Sequence, residues 1–226
     1  MEKILIIDDE KPTLSMFKLF LNAYGYEVLT AEDGPSGIEL YKKESPKIVF
    51  TDVKMPEMDG IEVLSIIKKM KIPSEVIVIT GHGDIDLAIK SLDIGATDYI
   101  NKPINRKALD SALERAVARI SEKNPESFEL NVVESEKRFI IHITGSINSS
   151  LLLEKYKPAI TELNNVEIEI AINKNFSINS DGIRGLIELI IELNKQSNSV
   201  TISGIPENFI PIFQMTGIFK ALKMKP

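Results

Sequence analysis

The sequence predicts an α/β protein in which a parallel sheet covered by helices on both faces is followed by a smaller α/β domain with a mixed sheet. Three observations lead to this prediction. Short, almost wholly apolar runs alternate with amphipathic helical patterns through the first half of the chain. Strands that are apolar on both faces are typical of parallel sheets buried between helices. A polar stretch containing Pro125 then precedes a second half that opens with two strand-like runs.

The pattern of apolar residues in the first half predicts five strands, each followed by a helix. Each strand is a short apolar run, and each helix shows apolar residues three and four positions apart. Strands and helices alternating in this way form a doubly wound (βα)5 parallel sheet, which binds ligands outside the carboxyl ends of its strands. The predicted strands are 4–7, 26–30, 48–50, 76–79 and 98–100, and the predicted helices are 12–21, 37–41, 61–67, 85–92 and 105–120.

The second half predicts a mixed α/β domain. Because Pro125 cannot continue a helix interior, we place a first domain at 1–122, a linker at 123–127 and a second domain at 128–226. In the second domain the predicted strands are 128–133, 138–144, 166–172 and 200–203, and the predicted helices are 151–163, 183–193 and 208–215.

The composition excludes several classes of protein. The net charge is -6, and neither half is basic, since residues 1–124 hold 17 basic and 21 acidic groups and residues 125–226 hold 10 and 12. This balance argues against a nucleic-acid partner. The absence of cysteine excludes disulfides and cysteine metal sites. No apolar run approaches the ~18 residues that span a bilayer, and the N-terminus does not resemble a signal peptide. We therefore expect a cytoplasmic protein with no membrane partner.

Polar residues follow four of the five predicted strands in the first half. Asp8 and Asp9 follow the first strand, and Asp52 follows the third. Thr80 follows the fourth strand, and Lys102 follows the fifth. Since the carboxyl ends of parallel strands lie at one edge of a sheet, these five residues are expected to lie together. Three carboxylates in one pocket repel one another unless they are protonated or hold a cation. Mg²⁺, or Mn²⁺ in its place, suits such oxygen ligands.

This set of residues suits phosphoryl transfer, in which a protein mainly positions groups and neutralises charge. Lys102 supplies a positive charge for a phosphoryl oxygen, and Thr80 supplies a hydroxyl donor. Asp52 is then a candidate nucleophile that becomes an aspartyl phosphate. The alternative is that these residues are helix caps or loop residues, as Asp and Thr often are.

Residues 3–120 resemble the receiver domain of bacterial two-component response regulators. Four motifs carry the resemblance, and they extend over the whole first half. They are Asp8-Asp9-Glu10, Asp52-Val53-Lys54-Met55-Pro56-Glu57-Met58-Asp59-Gly60, Thr80-Gly81-His82-Gly83 and Tyr99-Ile100-Asn101-Lys102-Pro103.

The resemblance implies that Asp52 is the phosphoacceptor and that a sensor histidine kinase is the donor. It also implies that Asp9, Asp52 and the backbone carbonyl of Lys54 bind Mg²⁺, with Asp8 assisting. On this interpretation the protein is not an enzyme with a separate substrate, because it receives a phosphoryl group and slowly removes it from itself.

The resemblance also implies a conformational switch. The Thr80 hydroxyl turns toward the phosphoryl group, and the ring of Tyr99 packs inward behind it. The Lys102-Pro103 peptide bond resembles a cis peptide of the family that lets the lysine reach the site. His82 lies beside Thr80, and we interpret it as a loop residue on the switch surface.

Residues 128 to about 224 resemble the STAS domain, the fold of anti-sigma-factor antagonists. Ile143-Thr144-Gly145-Ser146-Ile147-Asn148 is similar to an early strand and turn of that family, and the stretch from Phe213 to Phe219 is similar to its ending. The turn Asn179-Ser180-Asp181-Gly182 lies where the family has an Asp-Ser-Ser-Gly motif. The implied partner is an anti-sigma factor or a related ATPase or kinase.

One position departs from the STAS pattern. In the family the second serine of the motif is phosphorylated by a partner kinase, and here that position holds Asp181. A carboxylate carries less charge than a phosphate and mimics only part of the modification. We therefore hypothesise that control comes from Asp52, while phosphorylation of the neighbouring Ser180 stays open. A simpler interpretation is plain helix capping, in which Ser180 and Asp181 lie at or next to the N-cap of the helix, where a hydroxyl or carboxylate satisfies free N–H groups.

Three other functions compete with the signalling hypothesis. A self-association module would use phosphorylation to form a homodimer. A DNA-binding regulator is disfavoured by the acidic second half, in which we see no helix-turn-helix pattern. A phosphatase of the haloacid-dehalogenase type also uses an aspartate nucleophile with Mg²⁺, but in an Asp-x-Asp motif, whereas Asp8 and Asp9 are adjacent.

Overall fold

The computed structural model describes residues 2–81, 83–121, 128–135, 138–160, 163–173, 176–196 and 198–222. It divides into two compact units, Met1–Glu122 and Lys123–Pro226. The predicted linker at 123–127 and His82 lie outside the described residues.

The first unit is a five-stranded parallel sheet with helices between its strands. The strand order is β2-β1-β3-β4-β5, with every pair parallel, which confirms the predicted doubly wound sheet. The elements are β1 Lys3–Ile7, α1 Lys11–Ala23, β2 Glu27–Ala31, α2 Gly34–Glu44, β3 Ile48–Asp52, α3 Gly60–Lys69, β4 Glu75–Thr80, α4 Ile85–Ile94, β5 Asp98–Asn101 and α5 Arg106–Ser121.

Apolar side chains are buried on both faces of this sheet. In β1, Leu5 and Ile7 join one core cluster, while Ile4 and Ile6 join the other. The first cluster packs against α2 and α3, and the second packs against α1 and α5. Because both faces are covered, the polar residues that end the strands are confined to the edges of the sheet.

The turn from β3 into α3 brings the helix close to the end of the strand. Asp59 caps α3 by accepting a hydrogen bond from the backbone N–H of Glu62 at 2.8 Å, and the Glu62 carboxylate accepts from Asp59 N at 3.2 Å. A Cβ on Gly60 would lie 2.0 Å from the carbonyl oxygen of Asp52. Only glycine therefore allows α3 to begin against the backbone of Asp52.

The second unit is built on a five-stranded sheet, which is mixed as the sequence predicts but has one strand more than the four predicted. The strand order is β10-β8-β7-β6, and β9 pairs with β7. β6 is antiparallel to β7, and the other pairs are parallel. The elements are β6 Phe128–Ser135, β7 Arg138–Ile147, α6 Leu151–Glu154, α7 Lys157–Ile160, β8 Glu167–Ile172, β9 Ser177–Ile178, α8 Ser180–Lys195, β10 Ser199–Ser203, α9 Phe209–Thr216 and α10 Ile218–Leu222.

The predicted helix at 151–163 is wrong as a single element. It is divided into α6 and α7, which are four residues each. Pro158 explains the division, because its ring would clash with the carbonyl of Glu154 in a continuous helix. The two-residue strand β9 and the helix α10 were not predicted. Gly217 ends α9 with a φ of 89°, as expected of a glycine stop.

Among the described residues, no helix is both long and apolar enough to cross a membrane.

Candidate functional site

Three carboxylates lie together at the carboxyl edge of the first sheet. Asp8 follows β1, Asp52 ends β3, and these strands are neighbours in the sheet. Asp8, Asp9 and Asp52 each offer an oxygen within 4.8 Å of the other two. Asp8 is fully buried, Asp52 is 4 % exposed, and Asp9 is exposed. The structure thus brings together the three acids that the strand-end rule selects.

Lys102 neutralises part of this charge. Its Nζ lies 3.2 Å from Asp52 Oδ2 and 3.5 Å from Asp8 Oδ2. It also donates a hydrogen bond to Glu10 Oε2 at 3.1 Å. Sequence analysis gave Glu10 no role, although it completes the acidic run after β1. The peptide bond between Lys102 and Pro103 is cis, as the resemblance implies.

Burial disfavours negative charge in this cluster. It raises the pKa of Asp52 to about 6, and the charge of Asp8 adds to the rise while Lys102 opposes it. Burial also raises the pKa of Asp8, against the backbone hydrogen bond from Glu10 and the charge of Lys102. Burial acts to lower the pKa of Lys102, but its hydrogen bond to Glu10 and the charges of Asp52 and Asp8 outweigh burial and raise that pKa. The lysine is therefore held in its charged form.

The cluster fits a hard divalent cation. Asp8 Oδ1 accepts a hydrogen bond from the backbone of Glu10 at 2.8 Å, whereas the buried Asp8 Oδ2 has no hydrogen-bond partner and meets the Lys102 amine as an ion pair at 3.5 Å. A buried carboxylate oxygen without a donor is suited to a cation, and Mg²⁺ prefers such oxygen ligands. Asp9 and Asp52 offer further oxygens at this place.

Thr80 and Tyr99, the predicted switch residues, are both buried. Thr80 ends β4, and its hydroxyl donates to Asn101 Oδ1 at 2.9 Å. Tyr99 lies in β5 with 1 % of its surface exposed, and burial, together with the charge of Asp98, raises the pKa of its hydroxyl. Sequence analysis missed Asn101, although the strand register pairs it directly with Thr80.

The side chain of Lys54 points to a partner that the sequence did not predict. Its Nζ lies 2.7 Å from Asp84 Oδ2, in the loop that follows β4. Lys54 is two residues beyond Asp52, in the loop that follows β3. The pair thus connects two loops at the same edge of the sheet.

The motif of the second unit forms the start of α8, with Ser180 and Asp181 next to the N-cap. The helix is capped by Asn179, whose side chain accepts from Gly182 N at 2.9 Å. Asn179 has the extended backbone of a cap, and Ser180 and Asp181 are the first two helical residues. Asp181 Oδ2 accepts instead from Ser150 N at 2.8 Å and from Ser150 Oγ at 3.2 Å.

Asp181 is also paired with Arg184 within α8. Gly182 fits close packing, since a Cβ there would lie 2.0 Å from the carbonyl oxygen of Ile147 at the end of β7. The residues at this turn therefore hold the start of α8 against β7 and the loop that follows it.

Comparison with known proteins matches the first unit. The family model described as "Response regulator receiver domain" matches residues 4–114. A solved receiver domain from Clostridium thermocellum is 39% identical, with a TM-score of 0.51, over 53% of this chain and 97% of its own length. The receiver domain of a putative Luxo repressor protein from Vibrio parahaemolyticus is 30% identical, with a TM-score of 0.50, over 52% of this chain and 91% of its own.

Two curated relatives are named as transcriptional regulators. The probable transcriptional regulator ycf27 of Galdieria sulphuraria is 42% identical over 120 residues, which are 53% of this chain and 46% of that protein. The alkaline phosphatase synthesis transcriptional regulatory protein PhoP of Bacillus subtilis is 30% identical over 140 residues, which are 62% of this chain and 58% of that protein. The chain spans about half the length of these relatives. The chain belongs to the response regulator receiver family through its N-terminal unit.

Proposed function

We propose that Asp52 accepts a phosphoryl group from a sensor histidine kinase and that this event controls how the second unit binds a protein partner. The geometry of the acidic edge carries the proposal. A nearly buried carboxylate lies beside two further acids and 3.2 Å from the amine of Lys102. These are the groups that phosphoryl transfer to a carboxylate requires.

The residues divide the chemistry among them. An oxygen of Asp52 attacks the phosphorus, and the bond to the donor nitrogen breaks as the nitrogen takes the electron pair. Asp52 reacts as the carboxylate, and a pKa of about 6 leaves it mostly ionised at neutral pH. Asp8, Asp9, Asp52 and the Lys54 carbonyl would hold Mg²⁺, or Mn²⁺, which supplies positive charge for the phosphoryl oxygens. Lys102 is placed to follow the phosphoryl group as charge moves from the carboxylate to it.

The switch follows from the hydroxyl of Thr80. That hydroxyl now donates to Asn101, so it must leave this partner to donate to a phosphoryl oxygen. The loop after β4 would then move with it, and Tyr99 on the neighbouring strand would adjust its packing. This change is the proposed link between the chemistry and the output.

For the output we propose an interaction of the anti-sigma-factor-antagonist type. The STAS resemblance supports it, and so does Leu151, which is 73% exposed and directly follows Ser150, the residue that donates to Asp181 at the start of α8. Asp181 is held by Ser150 and Arg184, which supports a constant carboxylate in place of a regulated serine. The partner would then be an anti-sigma factor or a related ATPase or kinase.

DNA binding is a second candidate, because the curated relatives are named as transcriptional regulators. Their similarity covers the receiver part of the chain, and the second half carries 10 basic against 12 acidic groups. A gel shift at low salt tests this candidate directly, since binding through phosphates is strongest there. Size-exclusion chromatography of the same samples tests whether phosphorylation drives the formation of a homodimer.

The acceptor is tested by incubating the full chain with acetyl phosphate and Mg²⁺ and measuring the intact mass. We expect one added phosphoryl group that is absent in Asp52→Asn and without a divalent ion. A pull-down from native lysate, with Mg²⁺ and beryllofluoride and again with Asp52→Ala, tests the output. Recovery of an anti-sigma factor or related ATPase in only one state supports the proposal. Recovery of the same partners in both states contradicts control by the receiver.

A further inference from the structure

The loops that follow β1 and β5 are joined by a hydrogen bond beside the acceptor. Lys102 Nζ donates to Glu10 Oε2 at 3.1 Å, although the two residues are 92 positions apart in the chain. Glu10 follows β1 and Lys102 follows β5, and two strands, β3 and β4, lie between them in the sheet. Asp52 ends β3, and its Oδ2 lies 3.2 Å from the same amine. The contact therefore crosses the edge of the sheet at the place where the acceptor lies.

Glu10 is held in position to make this contact. Its backbone N–H donates to Asp8 Oδ1 at 2.8 Å, and its Oε2 also accepts from the hydroxyl of Thr13 at 3.2 Å. Glu10 occupies the N-cap position of α1, but its side chain makes no capping hydrogen bond. Asp33 and Asp59, in the same position before α2 and α3, accept from the backbone at 2.7 and 2.8 Å. The Glu10 carboxylate is thus directed to the lysine instead of to its own helix.

The amine of Lys102 is surrounded by as many acceptors as it has donors. An ammonium group carries three N–H donors. Oxygens of three carboxylates lie around this one, with Glu10 at 3.1 Å, Asp52 at 3.2 Å and Asp8 at 3.5 Å. Burial acts to lower the pKa of this amine, and its hydrogen bond to Glu10 is the largest of the causes that outweigh burial and raise that pKa. Glu10 is therefore the leading partner of the lysine in the unphosphorylated chain.

We propose that Glu10 competes with the phosphoryl group on Asp52 for Lys102, as a positioning residue that opposes the phosphorylated state. The inference rests on the proposed acceptor function. Phosphorylation replaces the carboxylate charge of Asp52 by that of the phosphoryl oxygens, and Lys102 has to redirect a donor to them. The side chain of Glu10 is 60% exposed and can return to water, whereas Asp8 is fully buried. Glu10 is thus the partner that Lys102 leaves, and the loss of their contact weakens the phosphorylated state.

The test measures how tightly the full chain binds beryllofluoride, the mimic of an aspartyl phosphate, with Mg²⁺ in excess and fluorine NMR as the readout. Glu10→Gln is expected to bind beryllofluoride about two- to fivefold more tightly, as befits the loss of a competing, partly exposed ion pair. Glu32→Gln is the matched control and is expected to bind as the unaltered chain does. Glu32 directly follows β2 at the same edge of the sheet, is 59% exposed, and pairs with Lys11 instead of Lys102.

A second variant changes the position of Glu10 and keeps every charge. Thr13→Val removes the hydroxyl that donates to Glu10 Oε2, and it is expected to tighten the binding of beryllofluoride by a smaller factor than Glu10→Gln. No gain in Glu10→Gln, no gain in Thr13→Val, or an equal gain in Glu32→Gln would overturn the inference while the acceptor role stands. An unaltered chain that takes up no phosphoryl group at Asp52 from acetyl phosphate would overturn the proposed function itself.

Discussion

At the scale of single residues, the acidic cluster is held in a state that a cation or a phosphoryl group relieves. Asp8 and Asp52 are buried in the same cluster, and burial raises the pKa of both carboxyls. Lys102 offsets only part of this cost, at 3.2 and 3.5 Å from the two carboxylates. Asp8 Oδ2 can still accept a cation, because it has no hydrogen bond and its ion pair with Lys102 is long, at 3.5 Å.

The cost of burying the charged Asp52 carboxylate predicts how the stability of the first unit depends on pH. The pKa of Asp52 is about 6 in the folded chain against 3.8 for an ordinary aspartate carboxyl, so its contribution to stability is present below pH 4 and is lost as pH rises through about 6. We expect Asp52→Asn to raise the free energy of unfolding of the first unit by about 2 kcal/mol at neutral pH in EDTA, and by much less near pH 4. Urea unfolding at both pH values measures this. A gain of equal size at the two values would contradict the prediction, and Asp33→Asn serves as a control for a capping carboxylate.

At the scale of elements, both units use a glycine to bring a helix start against the end of a strand. Gly60 places α3 against Asp52, and Gly182 places α8 against Ile147, each with a hypothetical Cβ 2.0 Å from a carbonyl oxygen. A backbone oxygen cannot move aside as a flexible side chain does. These glycines therefore determine where the neighbouring polar residues lie.

A comparison of Gly60→Ala with Gly81→Ala tests whether contact with a backbone oxygen is what requires glycine. At Gly60 the added carbon meets backbone, whereas at Gly81 it meets the flexible end of Asp84. We expect Gly60→Ala to lower the free energy of unfolding by about 1–3 kcal/mol and to slow phosphoryl uptake by Asp52, since it displaces the acceptor's backbone. Gly81→Ala is expected to leave stability within about 0.5 kcal/mol of the original. Equal losses in urea unfolding would show that contact with the backbone is not the cause.

Two buried ion pairs hold α5 to the sheet. Arg115 Nε lies 2.7 Å from Asp98 Oδ2 in β5, and Arg119 Nε lies 2.9 Å from Glu75 Oε2 in β4. Thr97 also donates to Glu75. All four charged side chains are less than 10 % exposed, so each pair compensates a desolvation cost that neither partner can bear alone.

Removing one partner is therefore expected to cost far more than removing both. Arg119→Met leaves the Glu75 carboxylate without its buried cation and is predicted to destabilise the first unit by about 3–5 kcal/mol. Adding Glu75→Gln to the same chain is expected to restore most of that loss, as chemical denaturation would show. If the double variant is no more stable than Arg119→Met, the loss comes from packing instead of charge.

At the scale of the whole molecule, the two units divide the proposed functions between them. The apolar face of α5, with Leu109, Leu113 and Ala116, is core of the first unit. Exposed apolar side chains occur elsewhere: Leu19 on α1 is 71% exposed, and Leu151 in the second unit is 73% exposed. A single exposed apolar residue does not by itself mark a contact surface, so a substitution is needed to test each leucine as a contact with a partner.

These two leucines form a matched pair of variants. Leu19→Glu is expected to slow phosphoryl transfer from the histidine kinase about tenfold while uptake from acetyl phosphate is unchanged, because a small-molecule donor needs no docking surface. Leu151→Glu is expected to leave both transfers unchanged and to weaken capture of the partner in the pull-down. The opposite pattern, or a loss of acetyl phosphate uptake in either variant, would contradict this division.

The sequence by itself determined the order of strands and helices in the first unit, the mixed character of the second, and the acids at the carboxyl edge. Hydrophobic periodicity reports which face of an element is buried, and parallel strands align their carboxyl ends, so Asp8 and Asp52 could be placed together across more than forty residues of chain. Local chemistry also located the glycine stop at Gly217.

Only the tertiary structure decided which side chains pair with one another. Thr80 with Asn101, Lys54 with Asp84, and Asp181 with Ser150 depend on register and on loop paths, which periodicity does not describe. The predicted helix at 151–163 is divided by a proline clash, to which hydrophobic periodicity is blind. The choice of Asn179 as the cap of α8 depends on backbone angles, which periodicity does not describe either. Patterns of single residues fix faces and strand ends, whereas hydrogen bonds and ion pairs depend on distances of a few ångströms that only the folded chain sets.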